Sequence, residues 1–160
     1  MDKILEQRER ALKSLRAADY LLSQNFSVFK DPKILVSALE DIFNCAASTM
    51  TAYLLFKRKN HKVEPFQDNF ESKHRVFEAN ITDDLKQHLM FINGLKKLIE
   101  FHKESPVEFR KKAEFVMCSD GYKNIEKLTP ELLKGQISKA KLFIEDVFFL
   151  IDNPGVKQHG

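Results

Sequence analysis

The sequence predicts an all-α protein, an up-and-down four-helix bundle with one or two additional short helices. Three observations carry that expectation. The 160-residue chain holds only 5 Gly and 5 Pro, so few turn signals interrupt it. Strand-like alternation is scarce. Apolar residues instead recur in steps of four and three over long stretches, which is the spacing of a helical seam. At 18.6 kDa the area scaling gives roughly 8,000 Å² folded against about 27,000 Å² unfolded, so one core can close without a metal or disulfide staple.

The first helix is expected from Asp2 to about Ser23, with Ile4, Leu5, Leu12, Leu15, Ala18 and Leu22 as its apolar stripe. Asn25 stops it. Phe26, Val28 and Phe29 then fall in a short loop, where they are expected to tuck under the end of the bundle. Asp31-Pro32 marks the next start, because Asp caps and Pro suits the first helical position.

The stretch from Pro32 to Lys59 is the expected centre. Leu35, Leu39, Ile42, Ala46, Thr49, Tyr53 and Phe56 form one seam, and Val36, Phe43, Ala47 and Leu54 form a second, well round from the first. A helix apolar on more than one side belongs in the middle of a bundle. Ala38, Cys45, Ala46, Ala47 and Ser48 are small enough for neighbours to approach closely. The helix ends in Lys57, Arg58, Lys59, Asn60, His61 and Lys62, and these cations complement its dipole. The functional alternative is a polyanion-binding corner built on Lys57, Arg58 and Lys59.

Residues 63–70 contain Pro65 and are expected as a loop or the start of a short helix, and Glu71 to Asn80 as helix. A third long helix is predicted over Thr82 to Lys103, with Ile81, Leu85, His88, Ile92, Leu95, Ile99 and His102 as its stripe and Met90, Phe91, Leu98 and Phe101 widening it. Gly94 within it marks either a close crossing or simple tolerance. Ser105-Pro106-Val107-Glu108 matches a capping box and predicts a further helix start. Ser119-Asp120-Gly121 is a turn signal. Thr129-Pro130 opens the last helix, whose stripe is Leu133, Ile137, Ala140, Ile144, Val147, Phe148 and Ile151, and Asn153-Pro154-Gly155 ends it. Phe148 and Phe149 diverge by about 100°, so Phe149 either packs on another helix or is exposed at an interface. The whole is expected to be one domain over 1–153 with a flexible tail over 154–160.

The formal net charge is +3, which permits contact with nucleic acid without requiring it. Cys45 and Cys118 are too few for a disulfide framework and are expected as reduced core thiols. The polar N-terminus shows no signal peptide, and no apolar run is long enough to span a membrane, so a cytoplasmic protein is expected. Glu71-Ser72-Lys73-His74 has the Glu-x-x-His spacing of di-iron bundles, but only one such pair exists where two are needed. His88 and His102 share a face about 21 Å apart and cannot share an ion. No metal and no cofactor are therefore expected, with His74 as a surface residue. Neither a nucleophile elbow nor a Gly-rich phosphate loop is present. Arg110, Lys111 and Lys112 form a short basic cluster that could meet RNA phosphates. With Glu108 and Glu114 alongside, the alternative is a solvated helix face.

Two stretches resemble the HEPN superfamily of compact helical domains. One is Ala17-Ala18-Asp19-Tyr20-Leu21-Leu22 followed by the central helix ending Ala52-Tyr53-Leu54-Leu55; the other runs from Phe109-Arg110 through Gly121-Tyr122 into the helix with Ala140 and Phe143-Ile144. Active members of that family are metal-independent ribonucleases that carry Arg followed after four to six residues by His, completed across a dimer. Arg110 matches the Arg by position. Phe115, Val116 and Met117 stand where the His belongs, and none can move a proton near neutral pH. The resemblance thus implies the fold and a homodimer. The missing His implies a non-catalytic module for protein or RNA, with a partner encoded nearby. Two alternatives are a ribonuclease pairing Arg110 with a distant histidine such as His102, and a helical partner protein with no nucleic-acid role.

Overall fold

A computed structural model describes residues 2–60 and 62–155. Its elements are α1 (Lys3–Tyr20), a π-helical turn (Leu21–Asn25), α2 (Phe26–Phe29), α3 (Lys33–Lys59), α4 (Phe70–Asn80), α5 (Asp83–Lys86), α6 (Leu89–Glu104), β1 (Val107–Lys111), β2 (Glu114–Cys118), a 3₁₀ turn (Asp120–Tyr122), β3 (Ile125–Leu128) and α7 (Pro130–Asp152). The protein is mostly helical, but it also carries a three-stranded antiparallel sheet of order β1-β2-β3. The all-α expectation is corrected at that point.

The unbroken α3 is the centre. Leu35, Leu39, Ile42, Ala46, Thr49 and Tyr53 of its first seam are all buried, as are Ala38 and Cys45. α1 lies along it, and α7, α6 and α4 pack around it. The buried face of α1 is Ala11, Leu15 and Ala18, continued by Leu22 of the π-helical turn. Leu5 and Leu12, expected inside, are 47% and 36% exposed, because α1 meets its neighbour on the narrower, alanine-containing stripe. Aromatic rings tie the helices together: Tyr53 meets Phe77 edge-on at 5.5 Å, and Phe77 lies 5.8 Å from Phe143 of α7.

Asn25 does not stop the first helix: the backbone stays right-handed helical through the π-helical turn and on into α2, where the sequence predicts a loop. Three start signals do act as the residue types dictate. Asp2 Oδ1 accepts from the Ile4 amide, Asp31 Oδ1 from Lys33, and Thr129 Oγ1 from Leu132. Val28 and Phe29 do not tuck under the bundle; they stand 73% and 71% exposed on α2. The predicted third long helix is broken at Gln87 and His88, whose side chains both reach Asp146 of α7. Met90, expected on the apolar face, is 85% exposed. A Cβ on Gly94 would meet nothing within 4 Å, so this glycine marks no close crossing.

The helix expected after Ser105 is instead strand β1, and the hydrogen bonds show why. Both arms of the apparent capping box bind backward onto α6: Ser105 Oγ donates to the Phe101 carbonyl at 2.6 Å, and Glu108 Oε2 pairs with His102 Nδ1 at 2.7 Å. Residues 107–111 then pair with β2, Arg110 opposite Phe115 and Lys111 opposite Glu114. The two-residue turn places Lys112 at φ 55°, in the left-handed region. Phe115, Met117 and Leu128 share one sheet face and join the helical core. Gly121, at φ 69°, permits the turn between β2 and β3. α7 stops at Asn153; residues 156–160 of the expected tail, and His61 of the basic run, lie outside the described residues. No helix among the described residues is long and apolar enough to cross a membrane.

Candidate nucleic-acid and anion surfaces

Arg110, Lys111 and Lys112 lie at the tip of the β1–β2 hairpin. Strand alternation sends Arg110 to the core-facing side of the sheet and Lys111 to the other. Arg110 Nη1 reaches Asp31 Oδ1 at 3.1 Å. The Asp31 carboxyl is held below its ordinary range first by the Lys33 amide and, more weakly, by the Arg110 guanidinium. This bridge sets the hairpin beside the corner between α2 and α3. Exposed Phe29 and Val28 lie there with Lys30, which sits in the left-handed region at φ 51°, and with exposed Lys33.

Lys57, Arg58 and Lys59 are at the other end of the same helix. Its 27 residues span about 40 Å at 1.5 Å per residue, so the two basic clusters do not form one patch. The three cations also diverge. Lys57 sits 5.6 Å over the Tyr53 ring, and burial, then Lys62, lowers its pKa. Arg58 stacks on Phe66 at 4.7 Å. Lys59 faces a separate cleft with Arg8, Phe56 and Ile151.

At the positions where the HEPN motif places its histidine, Phe115 and Met117 are core and Val116 is 3% exposed. Glu108 and Arg110 share a face of β1, so the Glu108–His102 pair and the Arg110–Asp31 pair are neighbours along one strand. His102 also packs edge-on to Phe115 at 6.2 Å.

His74 is not a surface residue. Its Nε2 contacts Asn93 Oδ1 at 2.7 Å, its ring stacks on Phe70, and its side chain is 12% exposed. No cluster of three or more His, Cys, Asp or Glu among the described residues is arranged to hold a metal. The pairing of buried His88 with Asp146 at 2.7 Å escapes sequence reasoning; the only signal is a histidine on an apolar stripe.

A second cleft, of about 350 Å³, opens between α1, the C-terminal half of α3 and the segment leading into α4, and Arg58 faces it. It too has no local sequence signature, since its walls come from three separate parts of the chain. The chain matches no protein-family model, no curated protein and no solved structure.

Proposed function

We propose that this is a non-catalytic, HEPN-like helical module that binds single-stranded RNA, acting in the cytoplasm as a homodimer. One observation carries the RNA reading: the Asp31–Arg110 bridge ties the hairpin tip, which bears Lys111 and Lys112, to the corner that carries exposed Phe29, Lys30 and Lys33. Cations for the backbone and an uncovered ring for a base are what sequence-tolerant single-strand binding needs. Fluorescence anisotropy with a labelled mixed-sequence RNA tests it. Binding should weaken with salt, since phosphate contacts release counterions. The double variant Lys111→Glu/Lys112→Glu should lose affinity tenfold or more, and Phe29→Ala less. Salt-insensitive binding, or none, would leave the chain as a protein-only partner.

The dimer reading rests on α7. Gly135, Leu142 and Phe149 recur every seven residues, and Leu142 and Phe149 are 56% and 54% exposed. An antiparallel pairing about Leu142 sets Phe149 over Gly135 of the partner subunit and Lys139 against Glu145 of the partner subunit. The stripe thus complements itself in shape and charge. Sedimentation should show a dimer that Phe149→Glu converts to monomer.

The ribonuclease reading has one observation in its favour: His102 of α6 pairs with Glu108, which shares a face of β1 with Arg110. His102 and Arg110 are each already engaged by a carboxylate, which supports the non-catalytic reading instead. Metal-free incubation with RNA decides between them: cleavage that is lost in Arg110→Ala and His102→Ala would replace our reading.

A further inference from the structure

We propose that the cleft between α1, α3 and α4 binds a phosphate group. This site is independent of the RNA surface, which lies at the far end of α3. Its volume of about 350 Å³ falls in the range of small-ligand sites. Four cations face it: Lys3 and Arg10 from α1, Arg58 from α3 and Lys73 from α4. Only two carboxylates do so, Glu6 and Asp68. Each of these already holds a cation, Glu6 with Arg10 at 2.7 Å and Asp68 with Lys73 at 2.6 Å. Among the described residues Lys3 and Arg58 have no carboxylate partner. The cleft therefore carries two uncompensated positive charges contributed by different elements.

Arg58 is the positioned member. Its guanidinium carbon sits 4.7 Å over the Phe66 ring, and Phe66 is itself a wall of the cleft. The ring contact uses no N–H of the guanidinium and no carboxylate pairs with Arg58 among the described residues, so its donor fork, which matches phosphate oxygens in pairs, is open to a ligand. Gln7 adds a neutral amide to the lining. A phosphate monoester carries about −1.5 to −2 charges at pH 7, which matches the two free cations better than a monocarboxylate does.

The phosphate can belong to a free anion or to a nucleic-acid backbone, and one experiment separates the two. The full chain is titrated calorimetrically with pyrophosphate, with ATP and with a short single-stranded RNA. The same titrations are run on Arg58→Gln, on Lys3→Gln and on Lys111→Glu/Lys112→Glu. Saturable binding of pyrophosphate or ATP that weakens tenfold or more in Arg58→Gln, and falls in Lys3→Gln, assigns a free phosphate. Loss confined to RNA in those two variants assigns a backbone phosphate to the same cleft. The hairpin variant should bind ATP like the parent, so this proposal and the RNA reading fail separately. No binding of any of the three, or equal binding in both cleft variants, overturns the site. Lys3 is exposed at the start of α1, so its variant also guards against a merely misfolded Arg58→Gln.

Discussion

Arg110 Nη1 lies 3.1 Å from Asp31 Oδ1, joining residues 79 apart in the chain and tying the hairpin tip to the start of the longest helix. Asp31 serves two partners, because the same oxygen accepts the Lys33 amide. The two contacts differ in strength. The amide bond satisfies a helix-terminal donor, while the ion pair is half open to water, at 53% and 41% exposure. Asp31→Ala, which removes both contacts, should therefore destabilise the protein more than Arg110→Ala, which removes only the solvent-screened ion pair. Urea unfolding of both variants measures this; a larger loss in Arg110→Ala would make the bridge the dominant contact.

At the opposite end, Arg8 holds Asp152 by two hydrogen bonds, of 2.7 and 3.0 Å, and stacks on Phe148 at 4.4 Å. The Arg8 hydrogen bond holds the Asp152 carboxyl below its ordinary range. A depressed folded-state pKa adds stability above the unfolded value, near 3.8, and that contribution is lost as pH falls through the lower folded value. Asp152 is 54% exposed, so the expected contribution is under about 1 kcal/mol. Asp152→Asn should melt below the parent at neutral pH, and the two melting curves should converge in strong acid. A gap that widens on acidification would reverse the sign.

Tyr53 is fully buried, its hydroxyl has no partner among the described residues, and burial pushes its pKa up to about 12. An unsatisfied buried hydroxyl costs roughly 1–3 kcal/mol. Tyr53→Phe keeps the ring against Phe77 and should be neutral or stabilising in thermal melts. A clear drop in melting temperature would reveal a bound water or another partner for the hydroxyl.

Burial raises the Cys45 thiol to about 12, and Cys118 is 1% exposed. Little thiolate forms at Cys45 near pH 8, and little reagent reaches either sulfur. Ellman's reagent should report no fast-reacting thiol in the native protein and two after denaturation. A fast native thiol would show that one of these sites opens.

The helical seams were legible because burial on one side of a helix writes a 3.6-residue period into the sequence. Leu35 through Tyr53 repeat it five times over, and every member of that run is buried. Strand β1 offers only Val107 and Phe109 against Glu108 and Arg110, two periods of alternation, beside a Ser-Pro-x-Glu pattern that also fits a helix start. Leu5 and Leu12 misled for a related reason: periodicity marks an apolar face but not how wide a neighbour covers it. Of the candidate site residues, the basic clusters themselves were visible. Their separation by the length of α3 was not.

The amino-acid order alone determined the central helix with Cys45 buried in it, the caps at Asp31 and Thr129 and the stop at Asn153-Pro154-Gly155, because each depends on near neighbours or on a long repeat. The tertiary structure alone decided that residues 107–128 form a sheet, since Ser105 and Glu108 spend their hydrogen bonds on α6 rather than on a new helix. It likewise decided which charges meet. Arg58 and Lys73 lie far along the chain from Lys3 and Arg10 of α1, and Coulomb forces act through space, so only packing could gather the four around one cleft.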